Sequence, residues 1–345
     1  MLEFKKYSSI ENSYNKEFVE RTAAEMPTDL EYVVQEKVNG ANVSFLCDGR
    51  HVQFAKRTSV VGNDEKFYNY EELLNAYKER VIRLFSNVQK RYPNVKSISV
   101  FGEMFGGSYP HEEVQRIGRL MPIQKGVYYT PAHEFYGFDI FIFTENEANY
   151  LSVTETDELF EQERFFYAKT LFRGSLAACL KYPNSFESYI PQWLGLPPIK
   201  DNICEGIVIR PVEPMFFPNG SRVILKNKNE RFAERKSVKK RNKIFVEQPE
   251  YSKELLTLMD EISGYVTENR LYNVVSHIGE VQIPKDFGKI MGLFAKDAFD
   301  DFLKEQKKAY TNLEKKEQKA LSKELNRLST ELVKKVYTTK AYAID

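Results

Sequence analysis

The sequence predicts an α+β chain: antiparallel sheets with flanking helices over the first two thirds, followed by an all-α C-terminal domain. Three observations carry that reading. Between Tyr32 and Lys228, short apolar and β-branched runs are separated by Asn39-Gly40, Asp48-Gly49 and Asn219-Gly220, the pattern of strands bounded by turns. Beyond Glu250 the apolar spacing lengthens to about 3.6 residues, the period of a helix with one face toward a core. The 345 residues suffice for two domains, at about 150 residues each. The boundary is expected in the stretch 243–250, giving domains 1–243 and 244–345.

Composition removes several classes. An apolar content of 42% with 14% aromatic residues argues for a folded chain, not a disordered one. A net charge of +1 announces no polyanionic partner, so any such partner must be sought in local charge. Cys47, Cys179 and Cys204 are far apart and form no Cys-x-x-Cys pair, which suits a reducing compartment better than a disulfide framework. His51, His111, His133 and His277 lack metal-ligand spacing, so no structural zinc site is expected. The opening MLEFKKYSSIENSY has no apolar signal core and no run approaches membrane-spanning length. A soluble protein of the cytoplasm or another reducing intracellular compartment is expected, with no signal peptide or transmembrane segment.

The elements follow in order. Tyr32, Val33 and Val34 favour a strand, because β-branched and aromatic side chains fit a pleated, half-buried surface. That strand delivers Glu36 and Lys37 to Val38, Asn39 and Gly40, a turn signal that predicts a returning strand over Val43–Cys47 and a third over His51–Ala55. Lys37 at this strand end is the candidate nucleophile. An amine with an ordinary pKa of about 10.4 is a poor nucleophile unless burial or neighbouring cations lower that value. Taken alone, Lys-x-x-Gly is also an ordinary strand end with a solvated lysine.

Arg57 lies one strand on, and Leu73, Leu74, Tyr77, Val81, Leu84, Phe85 and Val88 mark a packing helix over 69–91. Ser97–Phe101 reads as a strand running into Gly102-Glu103-Met104-Phe105-Gly106-Gly107, where Glu103 can reach a ribose hydroxyl or serve as a charged turn residue. Glu134–Phe143 is the most apolar strand and carries Asp139, a carboxylate that needs a partner there. Regular strand geometry places Phe138 on the face opposite Asp139, as a base-stacking ring or as core. Short helices are expected over 154–166 and 174–182, then a proline-rich connection over 191–198.

Glu205-Gly206 leads another strand through Ile207–Pro211, and Arg222–Lys228 the next. Lys226 and Lys228 share a strand face, suited to a phosphate or to guarding an edge. From Lys226 to Lys243 nine basic residues, Lys239 and Lys240 among them, stand against Glu230 and Glu234 alone. That run is a local phosphate-attracting patch or a solvated linker. In the tail, apolar residues at helical spacing mark helices through 255–262, 271–278, 287–293 and 321–336, with no sustained heptads.

Taken together, EKVNGAN, AKRT, FGEMFG, FYGFDIF, EGIVIRP and VILKNKN, in that order, resemble the nucleotidyltransferase motifs of the RNA ligase 2 family, which includes phage double-strand RNA ligases and kinetoplastid editing ligases. FKKYSSIEN and RLYNVVSHIGEVQIPKDFGKIMG are also similar to that family. The resemblance implies a nucleotidyltransferase (ATP-grasp-like ligase) domain and an ATP-dependent ligase using Mg²⁺, or Mn²⁺ in its place. It implies that Lys37 takes AMP from ATP, passes it to a 5′-phosphate RNA end, and that a 3′-hydroxyl then displaces it. Phe138 would stack on adenine, with Glu36 beside the base and Val38 in the same pocket; Arg57 and Glu103 would meet the ribose. Lys226 and Lys228 would hold phosphate, and Glu205, with Asp139, would place the metal. Asn42 would engage the RNA end, with Arg57, Lys239 and Lys240 also toward RNA. The implied partner is RNA, as a nicked duplex or bridged ends, bound by a monomer with no membrane association.

Asn39 and Ala41 stand where the family commonly has histidine and threonine, and Arg210 where it has lysine. Asn39 donates a hydrogen bond but carries no charge. DNA ligases and capping-type nucleotidyltransferases share the lysine chemistry but typically continue into a β-rich OB module, whereas residues 250–345 read as helices. A non-catalytic RNA-binding protein on the same fold is the other alternative.

Overall fold

The computed structural model of the chain describes residues 2–62, 64–118, 120–235 and 251–338. Two compact units divide at Phe232 and Ala233. The boundary expected at 243–250 lies outside the described residues, as do Lys239 and Lys240.

The first unit runs β1 (Glu11–Asn12), α1 (Lys16–Glu25), β2 (Tyr32–Lys37), β3 (Ala41–Cys47), β4 (Val52–Lys56), β5 (Ser59–Val60), α2 (Tyr70–Arg91), β6 (Ser97–Ser108), β7 (Thr130–Phe143), β8 (Ala148–Tyr150), α3 (Val153–Gln162), β9 (Thr170–Gly174), the short α4 (Leu176–Cys179) and α5 (Ile190–Trp193), β10 (Gly206–Pro211) and β11 (Leu225–Lys228). One sheet has the order β1-β11-β10-β2-β9 and the other β5-β4-β3-β6-β7-β8. The β1–β11 pair is parallel; the other strand pairs are antiparallel.

The hairpin expected at Asn39-Gly40 is therefore corrected. β2 and β3 belong to different sheets, and Val38–Gly40 carries the chain from one to the other. The reason for glycine also changes. A Cβ at Gly40 would lie 2.3 Å from the Met104 carbonyl oxygen, so close backbone approach, not a left-handed conformation, selects it.

The apolar stripe of α2 buries Leu73, Tyr77, Val81, Leu84, Phe85 and Val88 against one face of the second sheet, where Phe45, Phe54 and Phe135 meet it. That match between spacing and burial is what the sequence predicts. The first sheet covers its own core, with Val34, Ile207, Ile209 and Leu225 packed by Phe18 and Val19 of α1. Val38, Phe105, Tyr129 and Tyr136 form a further cluster around the β2–β3 crossing. The glycine-rich run after Phe101 is not a turn: β6 continues through it to Ser108.

The second unit contains α6 (Lys253–Ser263), α7 (Glu268–Ile278), α8 (Phe287–Asn312) and α9 (Lys315–Thr338). Ser252 and Thr267 cap α6 and α7 by accepting from backbone N–H groups three residues on, which satisfies donors that a helix start leaves unpaired. α8 runs well past the expected 293 because Phe294, Ala295, Ala298 and Phe302 extend the buried stripe. The buried Arg270 of α7 donates to Asp297 and Asp301, one helical turn apart on α8. Among the described residues no helix is long and apolar enough to cross a membrane.

Candidate active site

Strand register assembles the centre of the site. Lys37 of β2 and Lys228 of β11 both pair in register with Gly206 of β10, so the three lie in one row across the sheet. Glu205, immediately before Gly206, then lies between the two lysines. Lys37 Nζ donates to Glu205 Oε2 at 2.7 Å, and Lys228 Nζ lies 2.8 Å from Oε1. Gly206 has φ +146°, and a Cβ there would come 2.2 Å from the Asn227 carbonyl oxygen, so a side chain would push β11 and its lysines away. Lys226 lies on the same strand face as Lys228, in register with Val208. Burial alone would raise the Glu205 pKa, but Lys228 and Lys37 outweigh it and hold the carboxyl below its ordinary value.

The second sheet contributes the opposite wall. Asn42 of β3 pairs in register with Glu103 of β6, and its side chain is among the influences that lower the Glu103 pKa. Glu103 keeps some solvent access, yet desolvation pushes its pKa up to about 7, opposed by Lys37, reinforced by Glu205 and opposed again by Arg57. The charge of Arg57 thus reaches this site, whereas its neighbour Lys56 is ion-paired with Glu65. Glu36, the residue before Lys37 on β2, is buried, with its carboxylate accepting from Ser188 Oγ at 2.5 Å and from the Tyr189 N–H at 3.0 Å. Burial raises it to about 7 despite those two bonds. Val38 is buried beside Phe105 and Tyr129.

Asp139 corrects the expectation of a metal role. Arg210 Nη1 lies 2.7 Å from Oδ1 and Arg222 Nη1 2.7 Å from Oδ2, while the Tyr7 hydroxyl donates to Oδ2 at 2.6 Å. Both oxygens are committed to buried donors. Burial would raise the Asp139 pKa, but the two guanidinium groups hold it below its ordinary value. The expected opposition of Phe138 and Asp139 also fails, because the β6–β7 register slips between Phe101 and Gly102, which pair with Asp139 and Gly137. Phe138 is the extra residue of a β-bulge, where strict alternation breaks. Tyr7 consequently touches both: its ring centroid is 5.0 Å from that of Phe138 and its hydroxyl reaches Asp139. The Phe138 carbonyl accepts from Arg210 Nη2 at 2.6 Å, which fixes the bulge under the half-buried ring.

Several functional neighbours escaped the sequence reading. Tyr7 and Arg222 form the Asp139 network from distant parts of the chain, and Ser188 and Tyr189 hold Glu36. Asn39 donates from its backbone N–H to the Tyr129 hydroxyl at 2.9 Å and from Nδ2 to the Lys125 carbonyl at 3.0 Å. Gln124 Nε2 donates to the Gly40 carbonyl at 3.3 Å. This latch on the crossing strand fills the role of an uncharged donor, which is what asparagine can supply.

The donor set fits a magnesium ion held by few protein ligands. Mg²⁺ is commonly bound by one or two carboxylates plus substrate phosphates, keeping several waters, and the site offers Glu205 and Glu103. Among the described residues no cluster of three or more His, Cys, Asp or Glu side chains could form a dedicated protein cage for a metal.

Comparison with known proteins agrees with the motif order. The RNA ligase family matches residues 30–228, and the T4 RNA ligase 2 C-terminal family matches residues 249–331. Mitochondrial RNA-editing ligase 2 of Trypanosoma brucei brucei is 26% identical over 90% of this chain and 85% of its own length. Mitochondrial RNA-editing ligase 1 of the same organism is 28% identical over 80% of this chain and 70% of its own length. A Naegleria gruberi RNA ligase structure aligns at 15% identity over 66% of this chain and 57% of that one, with a TM-score of 0.39. With the family covering β2, β9, β10 and β11 of the lysine-bearing sheet, and a T4 RNA ligase 2 C-terminal match over residues 249–331, the chain belongs to the RNA ligase family.

Proposed function

We propose that this RNA ligase family member seals 5′-phosphate and 3′-hydroxyl RNA ends with ATP, at nicks in duplex RNA or between ends bridged by a complementary strand. The observation that carries the reading is the Lys37–Glu205–Lys228 row, in which one carboxylate holds two amines at 2.7 and 2.8 Å. Lys37 gives up its proton and its Nζ attacks the α-phosphorus of ATP. A P–N bond forms, the α–β phosphoanhydride bond breaks, and pyrophosphate leaves. Lys228 and Lys226 supply positive charge where negative charge develops on the transferring phosphoryl group. An oxygen of the RNA 5′-phosphate then attacks the same phosphorus, the P–N bond breaks, and Lys37 recovers a proton. Attack by the RNA 3′-hydroxyl on the activated 5′-phosphate forms the phosphodiester and expels AMP.

Glu205 and Glu103 would hold the magnesium ion, whose charge offsets that of the phosphates. Phe138 offers its ring to adenine and Glu36 its carboxyl to the base edge, while Arg57 and Glu103 face the ribose. Asn42 engages the RNA end. The helical second unit favours RNA ligation over DNA ligase or capping chemistry. The three cysteines are buried thiols, in keeping with a cytoplasmic or other reducing compartment, and the working species is proposed to be a monomer.

The test is to incubate the protein with Mg²⁺ and ATP labelled at the α-phosphate after pyrophosphate treatment, beside Lys37→Ala. Label that survives denaturation on the wild type and is absent from the variant is expected; an unlabelled wild type would sink the catalytic reading. Nicks carrying RNA or DNA on the 3′-hydroxyl side then test substrate class. A requirement for RNA there is expected, because the 2′-hydroxyl distinguishes the two.

A further inference from the structure

We infer that the segment from β9 to Gly195 is a stacking platform for unpaired nucleotides of the RNA substrate, an inference that rests on the ligase reading. Five aromatic rings follow one another along it. Phe172 and Tyr182 have centroids 5.8 Å apart, Tyr182 and Phe186 6.3 Å, Phe186 and Tyr189 5.2 Å, and Tyr189 and Trp193 5.8 Å. The rings are half-buried, except that Phe172 is exposed at 37%. Tyr182 and Phe186 pack against the core of the first sheet and Trp193 against the cluster around the β2–β3 crossing, which holds these rings in place while part of each remains accessible.

Charge selects the occupant. From Arg164 to Lys200 the chain carries Arg164, Lys169, Arg173, Lys181 and Lys200 against Glu187; Arg173 is ion-paired with Glu31 at 3.1 Å, and Lys169 is the cation placed against the rings. Lys169 Nζ lies 5.3 Å from the centroid of the Trp193 ring. Partly open aromatic rings with a lysine against the terminal one match single-stranded nucleic acid, whose bases stack and whose backbone is anionic. A paired duplex hides its base faces and cannot use the rings. Continuity with the reaction centre is direct, since the Tyr189 N–H and the adjacent Ser188 hydroxyl both bind the Glu36 carboxylate. Unpaired nucleotides beside the seam would thus be held next to the adenylylation site.

Trp193 is the sole tryptophan, so its emission reports on one end of the row. A single-stranded oligouridylate should quench that emission saturably and with salt dependence, whereas a fully paired RNA hairpin should not. Phe172→Ala and Lys169→Glu, both at exposed positions outside the reaction centre, should each weaken oligouridylate binding about tenfold. They should also raise KM for a nick flanked by unpaired nucleotides while leaving a fully paired nick unchanged. Equal quenching by the hairpin, no quenching by oligouridylate, or wild-type affinity in both variants would overturn the inference. Lys37 labelling in the same preparations separates the two readings. Label without any platform effect removes the platform and keeps the ligase; absence of label from the wild type removes the ligase reading and, with it, this inference.

Discussion

Glu205 and Asp139 are both buried carboxylates clamped between two cations, yet they make opposite uses of the arrangement. At Glu205 the cations are lysines that keep 18% and 13% of their side-chain exposure. At Asp139 they are arginines with 2% and 4%, joined by a buried tyrosine hydroxyl. An ammonium is a compact charge on a flexible stem with rotatable donors; a guanidinium is a planar fork that fixes geometry. The lysine pair can therefore release its carboxylate to a metal or a nucleotide, whereas the arginine pair holds its carboxylate in place. Burial of a charged cluster does not by itself distinguish machinery from scaffold. Access and the shape of the cation do.

The largest effect should come from breaking the scaffold cluster. Arg222→Ala leaves Asp139 and Arg210 imperfectly paired in the interior, and such a break costs about 3–5 kcal/mol; urea unfolding should show it, and a loss below 1 kcal/mol would mean that the cluster is solvated. In the lysine cluster the corresponding change acts on rate. Lys228→Ala should slow formation of Lys37-AMP by about 10²–10³-fold with a near-native melting temperature, read by single-turnover labelling. Were the variant instead to unfold with unimpaired chemistry, the contrast would collapse.

A pH series sharpens the same contrast. Glu36 rises from 4.5 to about 7, so the folded chain holds a proton there that the unfolded chain releases. Stability should decline as pH rises through that window, by about 3 kcal/mol at most for this group, and Glu36→Gln should reduce the slope, leaving the part that Glu103, raised likewise by burial, supplies. Asp139 is shifted the other way; its contribution is present above the ordinary carboxylate pKa and is lost as pH falls through the lowered one. Denaturant titrations on both sides of the Glu36 window would decide, and a flat wild-type profile would contradict the desolvation of Glu36. The smallest change expected is Gly40→Ala. Its methyl meets the Met104 carbonyl, and overpacking of this kind costs about 1–3 kcal/mol. Labelling at Lys37 should weaken along with stability, because the crossing positions both sheets.

The lysine cluster was legible in the sequence because each member sits at a strand end in a short local pattern: Lys37 after Tyr32–Val34, Glu205 before Gly206, Lys226 and Lys228 two apart. The helices were legible for a similar reason, since the stripe of α2 is a local periodicity. The arginine cluster was not. Tyr7 reaches Asp139 across 132 residues and Arg222 across 83, and nothing in the spacing of either announces the pairing. The bulge at Phe138 was equally hidden, because it is a property of two strands in register and not of one. β9, with Thr170-Leu171-Phe172 bounded by Gly174, is short and half-exposed, so alternation gave it little contrast. The separate sheets of β2 and β3 were missed because Asn-Gly is also the commonest signature of a hairpin, and the close approach of Met104 that explains Gly40 is a tertiary fact.

The order of strands has a consequence for how the protein is made. The six strands of the second sheet lie between residues 41 and 150, with most neighbours consecutive or nearly so, and domains emerge from the ribosome N-terminus first. The strand bearing Lys37 is synthesised before any of them, yet its two sheet partners span residues 170–174 and 206–211. Its pairing partners are synthesised only after all six strands of the other sheet. On the proposed chemistry, a nascent chain stalled short of Glu205 should therefore take no AMP, because the row of Lys37, Glu205 and Lys228 is complete only when nearly the whole first unit has been translated.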